Sequence, residues 1–332
     1  MTHQHYHELE ADSYLQMGRL KGELFGEDLQ SELQERREED DWGYALVRSR
    51  RYLDVARRTF PHLIEELQGY AETAEIPFDQ LWLLCLEDEL DESNYDRCTT
   101  VVTNNGTLIG HNEDWHIDAR DCVCLLRKRI GDLSTIELFY YSTLGGNAIT
   151  LNSHGFLHAV NSLWHVDHRI GVSRNMVARW MSETANPERD YGTLARVNRA
   201  AGYHHTIVGL NGRVWSLECT ARAQQLLRPQ LPFVHTNHYL TDVAPYEDEG
   251  DYQGTYTRYR SACEKVRPQM TVTEMQQLLR DTGHGEERSI FNERTIASTV
   301  FDLAEQAVYV WLARESQKQW VKYPLESLLT VS

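Results

Sequence analysis

Residues 94–115 read NYDRCTTVVTNNGTLIGHNEDW and form the stretch of the chain that decides its fold. Two runs of strand-forming residues flank Asn105-Gly106, a strong signal for a tight turn between antiparallel strands. Cys98 opens the first run and Asp114 closes the second. The stretch therefore predicts a β-hairpin whose return strand brings the Asp114 carboxylate back near the Cys98 thiol.

The composition of the chain changes at the start of this hairpin. Residues 1–97 hold 24 acidic and 10 basic residues, whereas residues 98–332 hold 26 and 23. Before residue 98 the apolar residues recur with helical spacing, and after it short strand-forming runs alternate with turn signals. We predict an α+β protein in which a helical N-terminal segment, residues 1–97, precedes a strand-rich chain, residues 98–332, within one globular unit.

The same patterns predict individual elements. Helices are expected around residues 15–24, 44–58, 61–67 and 78–84, and later at 174–185, 190–201, 254–268 and 271–282. Strands are expected at 99–103, 107–111, 122–127, 136–141, 148–152, 157–163, 206–210, 213–219, 233–237, 295–303 and 306–314. The first residues, which include His3, His5 and His7, are expected to form a solvated tail.

The position of Cys98 suggests a nucleophile. A nucleophilic cysteine needs a base, and the α-amine of the same residue has a pKa of about 8, close to neutral pH. That amine exists only if Cys98 is the first residue of a chain, so the Arg97–Cys98 peptide bond must first be cut. The thiol can do this itself by attacking the Arg97 carbonyl, which gives a thioester that water hydrolyses.

Further motifs follow along the chain in a defined order. They are GRLKG at 18–22, CTT at 98–100, GHNEDW at 110–115, LNSHG at 151–155 with VNSL at 160–163, HTNHY at 235–239 and TIASTVFDL at 295–303. In this order they resemble the acyl-coenzyme A:6-aminopenicillanic acid acyltransferase family, whose members are cysteine N-terminal-nucleophile (Ntn) hydrolases. The resemblance covers most of the chain.

The resemblance implies a four-layer αββα sandwich and a precursor that cleaves itself between Arg97 and Cys98. It implies that Cys98 is the nucleophile, that its freed amine is the base, and that Asp114 orients or stabilises the resulting ammonium. Asn237 is then the amide donor to the oxyanion, a role in which one donor contributes about 10²–10³ in rate.

Three further residues, Thr99, Thr100 and Asn161, are candidates for supporting roles near the thiol. The expected reaction is hydrolysis of a small-molecule N-acyl amide through a Cys98 thioester, without a cofactor or a metal. Transfer of an acyl group from acyl-CoA to an amine is the alternative on the same site. The two segments are expected to stay associated after the cut.

Two other interpretations of the sequence remain open. The histidines between residues 154 and 168, above all His165-Val166-Asp167-His168, fit a metal-binding or ligand-binding protein that is never cleaved. A stable uncleaved precursor that acts only as a scaffold is the other. The acidic helical segment is either a solvated surface or an entrance that favours cationic amines.

Composition excludes several classes of protein. The formal net charge of −17 disfavours nucleic acid and anionic membranes as partners. Apolar runs long enough to span a bilayer and the features of a signal peptide are absent from the sequence, so a cytoplasmic protein is expected. Six cysteines without a CxxC pair disfavour a disulfide framework and a zinc site built from cysteines.

Overall fold

The computed structural model describes residues 5–38, 41–90, 98–243, 245, 247, 252–315 and 319–325. It has the α+β composition predicted from the sequence. Its helices are α1 (Tyr14–Arg36), α2 (Trp42–Thr59), α3 (Pro61–Thr73), α4 (Phe78–Leu84), α5 (Glu87–Leu90), α6 (Arg174–Met181), α7 (Pro187–Leu194), α8 (Gln253–Lys265) and α9 (Val272–Leu279). Its strands are β1 (Tyr6–Ala11), β2 (Thr99–Thr103), β3 (Leu108–Asp114), β4 (Val123–Ile130), β5 (Leu133–Tyr140), β6 (Ile149–Asn152), β7 (Phe156–Ser162), β8 (Tyr203–Gly209), β9 (Val214–Cys219), β10 (Gln224–Leu227), β11 (Phe233–His235), β12 (Thr295–Asp302), β13 (Ala307–Leu312) and β14 (Val321–Pro324).

Two sheets form the centre of the molecule. The larger sheet has the strand order β1-β4-β5-β6-β7-β8-β9-β10, and the smaller has the order β11-β2-β3-β12-β13-β14. Neighbouring strands pair antiparallel, except that β1 runs parallel to β4. The hairpin of β2 and β3 therefore lies inside the smaller sheet, with strands on both of its sides.

Apolar side chains separate the molecule into four layers. Ile109 of the smaller sheet and Leu138 of the larger sheet share a buried cluster between the two sheets. Phe139 is the next residue after Leu138 and points the opposite way, into a cluster with the helices before residue 98. Val101 and Met275 belong to a third cluster, between the smaller sheet and helices α8 and α9. This is the αββα sandwich that the resemblance implied.

Helices α1 and α3 approach each other closely because glycines face the contact. A Cβ atom at Gly18 would lie 1.9 Å from the carbonyl oxygen of Glu66, and one at Gly69 would lie 2.1 Å from that of Leu15. The same contact buries an ion pair, in which Lys21 Nζ donates to Glu66 Oε1 over 2.7 Å. Small residues in the GRLKG motif thus serve helix packing.

The first residues of the chain differ from the predicted solvated tail. His5 is buried, and His7 lies in β1, where its ring meets the edge of Phe25 at 5.4 Å. Strand β1 adds to the edge of the larger sheet by pairing with β4, more than 100 residues later. A local pattern does not report such a distant partner. His3 lies outside the described residues.

Several predicted element ends are wrong. The helix expected at 174–185 ends at Met181, because Asn152 Nδ2 binds the carbonyls of Ser182 and Thr184 and draws the chain away. The helix expected at 190–201 spans Pro187–Leu194 instead, since the Asn186 side chain caps its start. The strand expected at 233–237 ends at His235, and the strands β1, β10 and β14 were not predicted from the sequence.

Candidate active site

The hairpin holds Cys98 at the head of a central strand. Thr99 pairs with Asn112 and Thr103 with Leu108, and the connecting residues Asn104 to Gly106 all have positive φ angles. A Cβ atom on Gly106 would lie 2.5 Å from the carbonyl oxygen of Gly212, so the loop needs glycine there. Cys98 directly precedes β2 and is buried.

The carboxylate beside the thiol belongs to Glu113. Residues that face each other across an antiparallel pair share one side of the sheet, and Cys98 faces Glu113 in this register. Cys98 Sγ lies 3.7 Å from Glu113 Oε2, to which it donates. The other oxygen, Oε1, accepts a hydrogen bond of 2.8 Å from the Tyr140 hydroxyl. Sequence reasoning missed Glu113, although the register of a hairpin turning at Asn105-Gly106 contains this signal.

Asp114 lies one residue further along β3 and its carboxylate binds other partners. Its two oxygens accept hydrogen bonds of 2.7 Å from Asn292 Nδ2 and Thr295 Oγ1. Burial raises its pKa to about 6, although the positive charge of Arg258 acts in the opposite direction. The prediction that the return strand brings Asp114 to the thiol is wrong in register, because successive residues of a strand point to opposite faces.

His111 connects Glu113 to Thr100 through hydrogen bonds on the two sides of its ring. The Thr100 hydroxyl donates to Asn161 Oδ1 over 2.9 Å, so its oxygen is left to accept the Nδ1 proton of His111, also at 2.9 Å. His111 Nε2 then faces Glu113 Oε2 at 2.8 Å. A hydrogen bond therefore joins the imidazole of His111 to the carboxylate of Glu113.

The backbone of Cys98 is held from both sides. Its N–H donates to Asn237 Oδ1 over 2.9 Å, and its C=O accepts from Arg258 Nη1 over 2.8 Å. Arg258 also donates to Asn237 Oδ1 through Nη2, while Asn237 Nδ2 donates to the Ser162 carbonyl over 3.0 Å. Asn237 therefore lies beside Cys98 and binds its backbone. Arg258, on α8, is a site residue that no local motif indicated.

The structure describes three of the four remaining predicted residues. Thr99 accepts from Arg258 Nη1 over 3.0 Å on the side of the sheet that faces α8. Thr100 and Asn161 belong to the cluster around His111, and Asn161 Nδ2 is buried without a hydrogen-bond partner among the described residues. Arg97, on the acyl side of the predicted cut, lies outside the described residues.

A cavity between the two sheets opens onto the nucleophile. Cys98 and Glu113 line it together with the aromatic rings of Trp115, Tyr140 and Tyr203. Polar groups from the larger sheet and α6 complete its wall, so that both apolar and hydrogen-bonding parts of a small ligand have partners. The other lining residues are Leu84, Ser142, Thr143, Asn147, Val160, Ser162 and Asn175.

In the segment 165–168, which was considered as a metal site, the two histidines contact other groups of the fold. His165 Nδ1 lies 2.7 Å from Asp167 Oδ1, and His165 Nε2 accepts the N–H of Gly202 over 3.1 Å. Burial lowers the pKa of His168, whose ring stacks on His165, to about 4. In the part of the chain that the structure describes, the ligand atoms of three residues converge elsewhere, at Cys98, His111 and Glu113.

None of the helices in the described part of the chain combines the length and the hydropathy that crossing a bilayer requires. None of the six cysteines forms a disulfide, and four of them, including Cys98, are buried.

The chain is related to Ntn-type hydrolases and acyltransferases that act on amide bonds. The profile of the acyl-coenzyme A:6-aminopenicillanic acid acyl-transferase family matches residues 101–317, more than half of the chain. The chain belongs to this family, which confirms the resemblance inferred from its motifs.

One curated relative is the β-alanyl-dopamine/carcinine hydrolase of Drosophila melanogaster, 24% identical over 165 residues. The match spans 43% of this chain and 43% of that relative, which is less than half of its length.

Solved structures of similar fold include a mutant conjugated bile acid hydrolase from Clostridium perfringens, at a TM-score of 0.44 and 12% identity over 70% of this chain and 93% of that one. Another is penicillin V acylase from Agrobacterium tumefaciens, at a TM-score of 0.48 and 14% identity over 71% of this chain and 89% of that one.

Proposed function

We propose that this chain is a self-processing cysteine amidohydrolase that cleaves a small N-acyl amide through a thioester on Cys98. The observation that carries the proposal is the position of Cys98: its thiol faces a cavity, while Asn237 and Arg258 bind the N–H and C=O of the same residue. A nucleophile whose backbone is fixed on both sides is prepared for attack, because little orientational freedom remains to be lost.

In the self-cleavage step, Cys98 Sγ attacks the carbonyl carbon of Arg97 and gives its proton to Glu113. The peptide C–N bond then breaks, and the nitrogen takes up a proton and becomes the α-amine of Cys98. Water hydrolyses the resulting thioester. Residues 1–97 then end in a carboxylate. They stay bound to residues 98–332, because the helices before residue 98 share a large buried core with the larger sheet.

Turnover uses the new amine. The amine takes the proton of Cys98, whose sulfur attacks the acyl carbon of the substrate. The amide nitrogen of Asn237 carries two hydrogens, of which one is bound by the Ser162 carbonyl. The other is offered to the oxyanion. The substrate C–N bond breaks, the protonated amine leaves, and water releases the acid from the thioester.

The supporting residues act on these groups. Asp114 provides a negative charge that interacts with Arg258, the arginine that binds the Cys98 carbonyl. Thr99 shares a guanidinium nitrogen of Arg258 with the Cys98 carbonyl. Thr100 and Asn161 fix the orientation of His111 beside Glu113.

The substrate we propose is a short acyl group joined to an aromatic amine. Aromatic rings of Trp115, Tyr140 and Tyr203 line the cavity and offer an apolar surface, while Asn147 and Asn175 offer hydrogen bonds. The Drosophila relative is named for hydrolysis of β-alanyl amides of this kind. We favour hydrolysis because water is always present. The family's name makes transfer from acyl-CoA to an amine the second candidate.

The test is an acyl-enzyme measurement. Wild-type protein is mixed with N-acyl aromatic amines, or with acyl-CoA and the free amines, and is quenched in acid for mass spectrometry. A substrate should add its acyl group to the chain that begins at Cys98, and the product, free acid or new amide, separates hydrolysis from transfer. Cys98→Ala should lose the adduct and Cys263→Ser, a control at an exposed thiol, should keep it. Equal turnover by wild type and Cys98→Ala would contradict the proposal.

A further inference from the structure

We propose that Cys98, His111 and Glu113 form a binding site for Zn²⁺, and that the bound ion holds the nucleophile inactive. One ligand atom from each of these three buried residues lies within 4.8 Å of the other two. The cluster contains the nucleophile of the proposed function, so the effect of zinc on cleavage rests on that function. The binding itself does not.

The donor set suits zinc in type and in charge. Thiolate, imidazole and carboxylate are the three side-chain ligands that zinc prefers, and one thiolate with one carboxylate balances the charge of Zn²⁺. In a tetrahedral site the sulfur and carboxylate oxygen are separated by about 3.6 Å, and the nitrogen and oxygen by about 3.4 Å. The distance from Cys98 Sγ to Glu113 Oε2 is already 3.7 Å.

Zinc binding must lengthen the contact between His111 and Glu113. His111 Nε2 and Glu113 Oε2 lie 2.8 Å apart in their hydrogen bond, and a zinc ion between them needs about 0.6 Å more. Binding thus replaces two protons by the ion: the thiol proton of Cys98 and the proton of the hydrogen bond between His111 and Glu113 both leave to solvent.

The second layer of contacts already orients the ligands. A zinc-binding histidine typically donates its other ring N–H to an acceptor, and His111 Nδ1–H donates to the Thr100 hydroxyl, which in turn donates to Asn161. The free oxygen of Glu113 accepts from the Tyr140 hydroxyl. The Nε2 lone pair of His111 and one Glu113 oxygen are therefore aimed at the same point without rearrangement of the fold.

An ion has a route to this point and a free coordination position there. Cys98 and Glu113 both line the cavity between the sheets, so a cation can reach them through it. Three protein ligands leave one tetrahedral position for water. A zinc-bound thiolate has its lone pair committed to the metal and does not attack a carbonyl carbon. Zinc therefore holds the precursor uncut, and its removal permits cleavage.

Cobalt gives a direct readout of the binding. The full chain is titrated with Co²⁺ as a spectroscopic substitute for Zn²⁺. A thiolate ligand produces a charge-transfer absorption band in the near ultraviolet that histidines and carboxylates elsewhere in the chain do not produce. We expect one equivalent to saturate the band and one equivalent of Zn²⁺ to abolish it. Circular dichroism verifies the fold of every variant.

Variants assign the ligands. Cys98→Ser should abolish the band, and the near-isosteric Glu113→Gln should weaken Co²⁺ binding at least tenfold, as should Thr100→Val through the orientation of His111. His165→Asn, a control in the other histidine cluster, should bind as wild type does. The proposed site would be wrong if folded wild-type protein did not produce the band. It would also be wrong if the band were unchanged in Glu113→Gln and lost in His165→Asn.

A parallel measurement separates this proposal from the proposed function. Intact mass is followed in chelator and in equimolar Zn²⁺. Cleavage in chelator that stops with zinc supports both proposals. A cobalt band in a chain that is never cut keeps the metal site and removes the proposed function. Cleavage that proceeds equally in both solutions, without a band, removes the metal site alone.

Discussion

The substitution Glu113→Gln should slow self-cleavage strongly while leaving the fold intact. Before the cut no α-amine exists, so the acceptor at 3.7 Å from Cys98 Sγ is the group that can take the thiol proton. In the variant, the amide oxygen keeps the bond from Tyr140, and the new N–H donates to His111 Nε2. Packing is retained and only the thiol's acceptor is lost. A positioned base contributes about 10²–10⁴ in rate, and we expect a loss of that size.

The assay is a pulse–chase measurement of precursor cleavage, read as the fraction of full-length chain over time. Asp114→Asn is the matched comparison, because it neutralises the adjacent carboxylate of the same strand. Asp114 binds Asn292 and Thr295 rather than the thiol, so its variant should cleave within about tenfold of wild type and lose activity in turnover. The reasoning is refuted if Glu113→Gln is cut within about tenfold of the wild-type rate, or if Asp114→Asn is the slower of the two.

Three further predictions concern turnover and stability. Asn237→Ala should lower kcat/KM for an N-acyl amine by about 10²–10³ through loss of the oxyanion donor, and an unchanged value in steady-state kinetics would contradict that role. Lys21→Met should cost about 1–3 kcal/mol in urea unfolding, since it removes one of the two cations that contact the buried Glu66 carboxylate and leaves Arg179 as its remaining partner. Burial alone would raise the pKa of Glu66, but nearby cations lower it to about 2. A cost below about 1 kcal/mol would show that the pair is dispensable. His158 and His205 contact each other at 2.9 Å, and burial lowers both pKa values, that of His205 to about 3. Below a pH of about 6.5 the unfolded chain protonates these histidines and the folded chain does not, so the free energy of unfolding should fall as the pH is lowered. The expected slope is up to about 1.4 kcal/mol per pH unit and per histidine, and His205→Gln should reduce it. A urea midpoint that does not change with pH would contradict this prediction.

The hairpin explains how much the sequence could predict. Local signals were sufficient there: β-branched residues, the Asn105-Gly106 turn and the strand that follows fix β2 and β3, and with them the position of Cys98. The choice of carboxylate failed by one residue. Asp114 was selected as the last residue of the strand, whereas the side that a strand residue faces depends on the register, which assigns Glu113 to the thiol.

Other parts of the site depend on contacts that are distant in sequence. Arg258 reaches the Cys98 carbonyl from a helix 160 residues away, and no motif marks an arginine in an ordinary amphipathic helix as special. Strand β1 likewise pairs with β4 across more than 100 residues. Asn237 was selected because its neighbours form a motif of the family, whereas the contact between Thr100 and Asn161 follows only from the packing of one sheet on the other.

The proposed mechanism requires Cys98 to become the first residue of its own chain. Intact-mass measurement and N-terminal sequencing of freshly purified protein, freed of metal by a chelator, test it most directly. The account predicts two chains of about 11 and about 27 kDa, from division of 38.6 kDa at residue 98, with the larger chain beginning Cys-Thr-Thr, and a single chain for Cys98→Ala. A fully active wild-type protein that remains one chain of 38.6 kDa would contradict it.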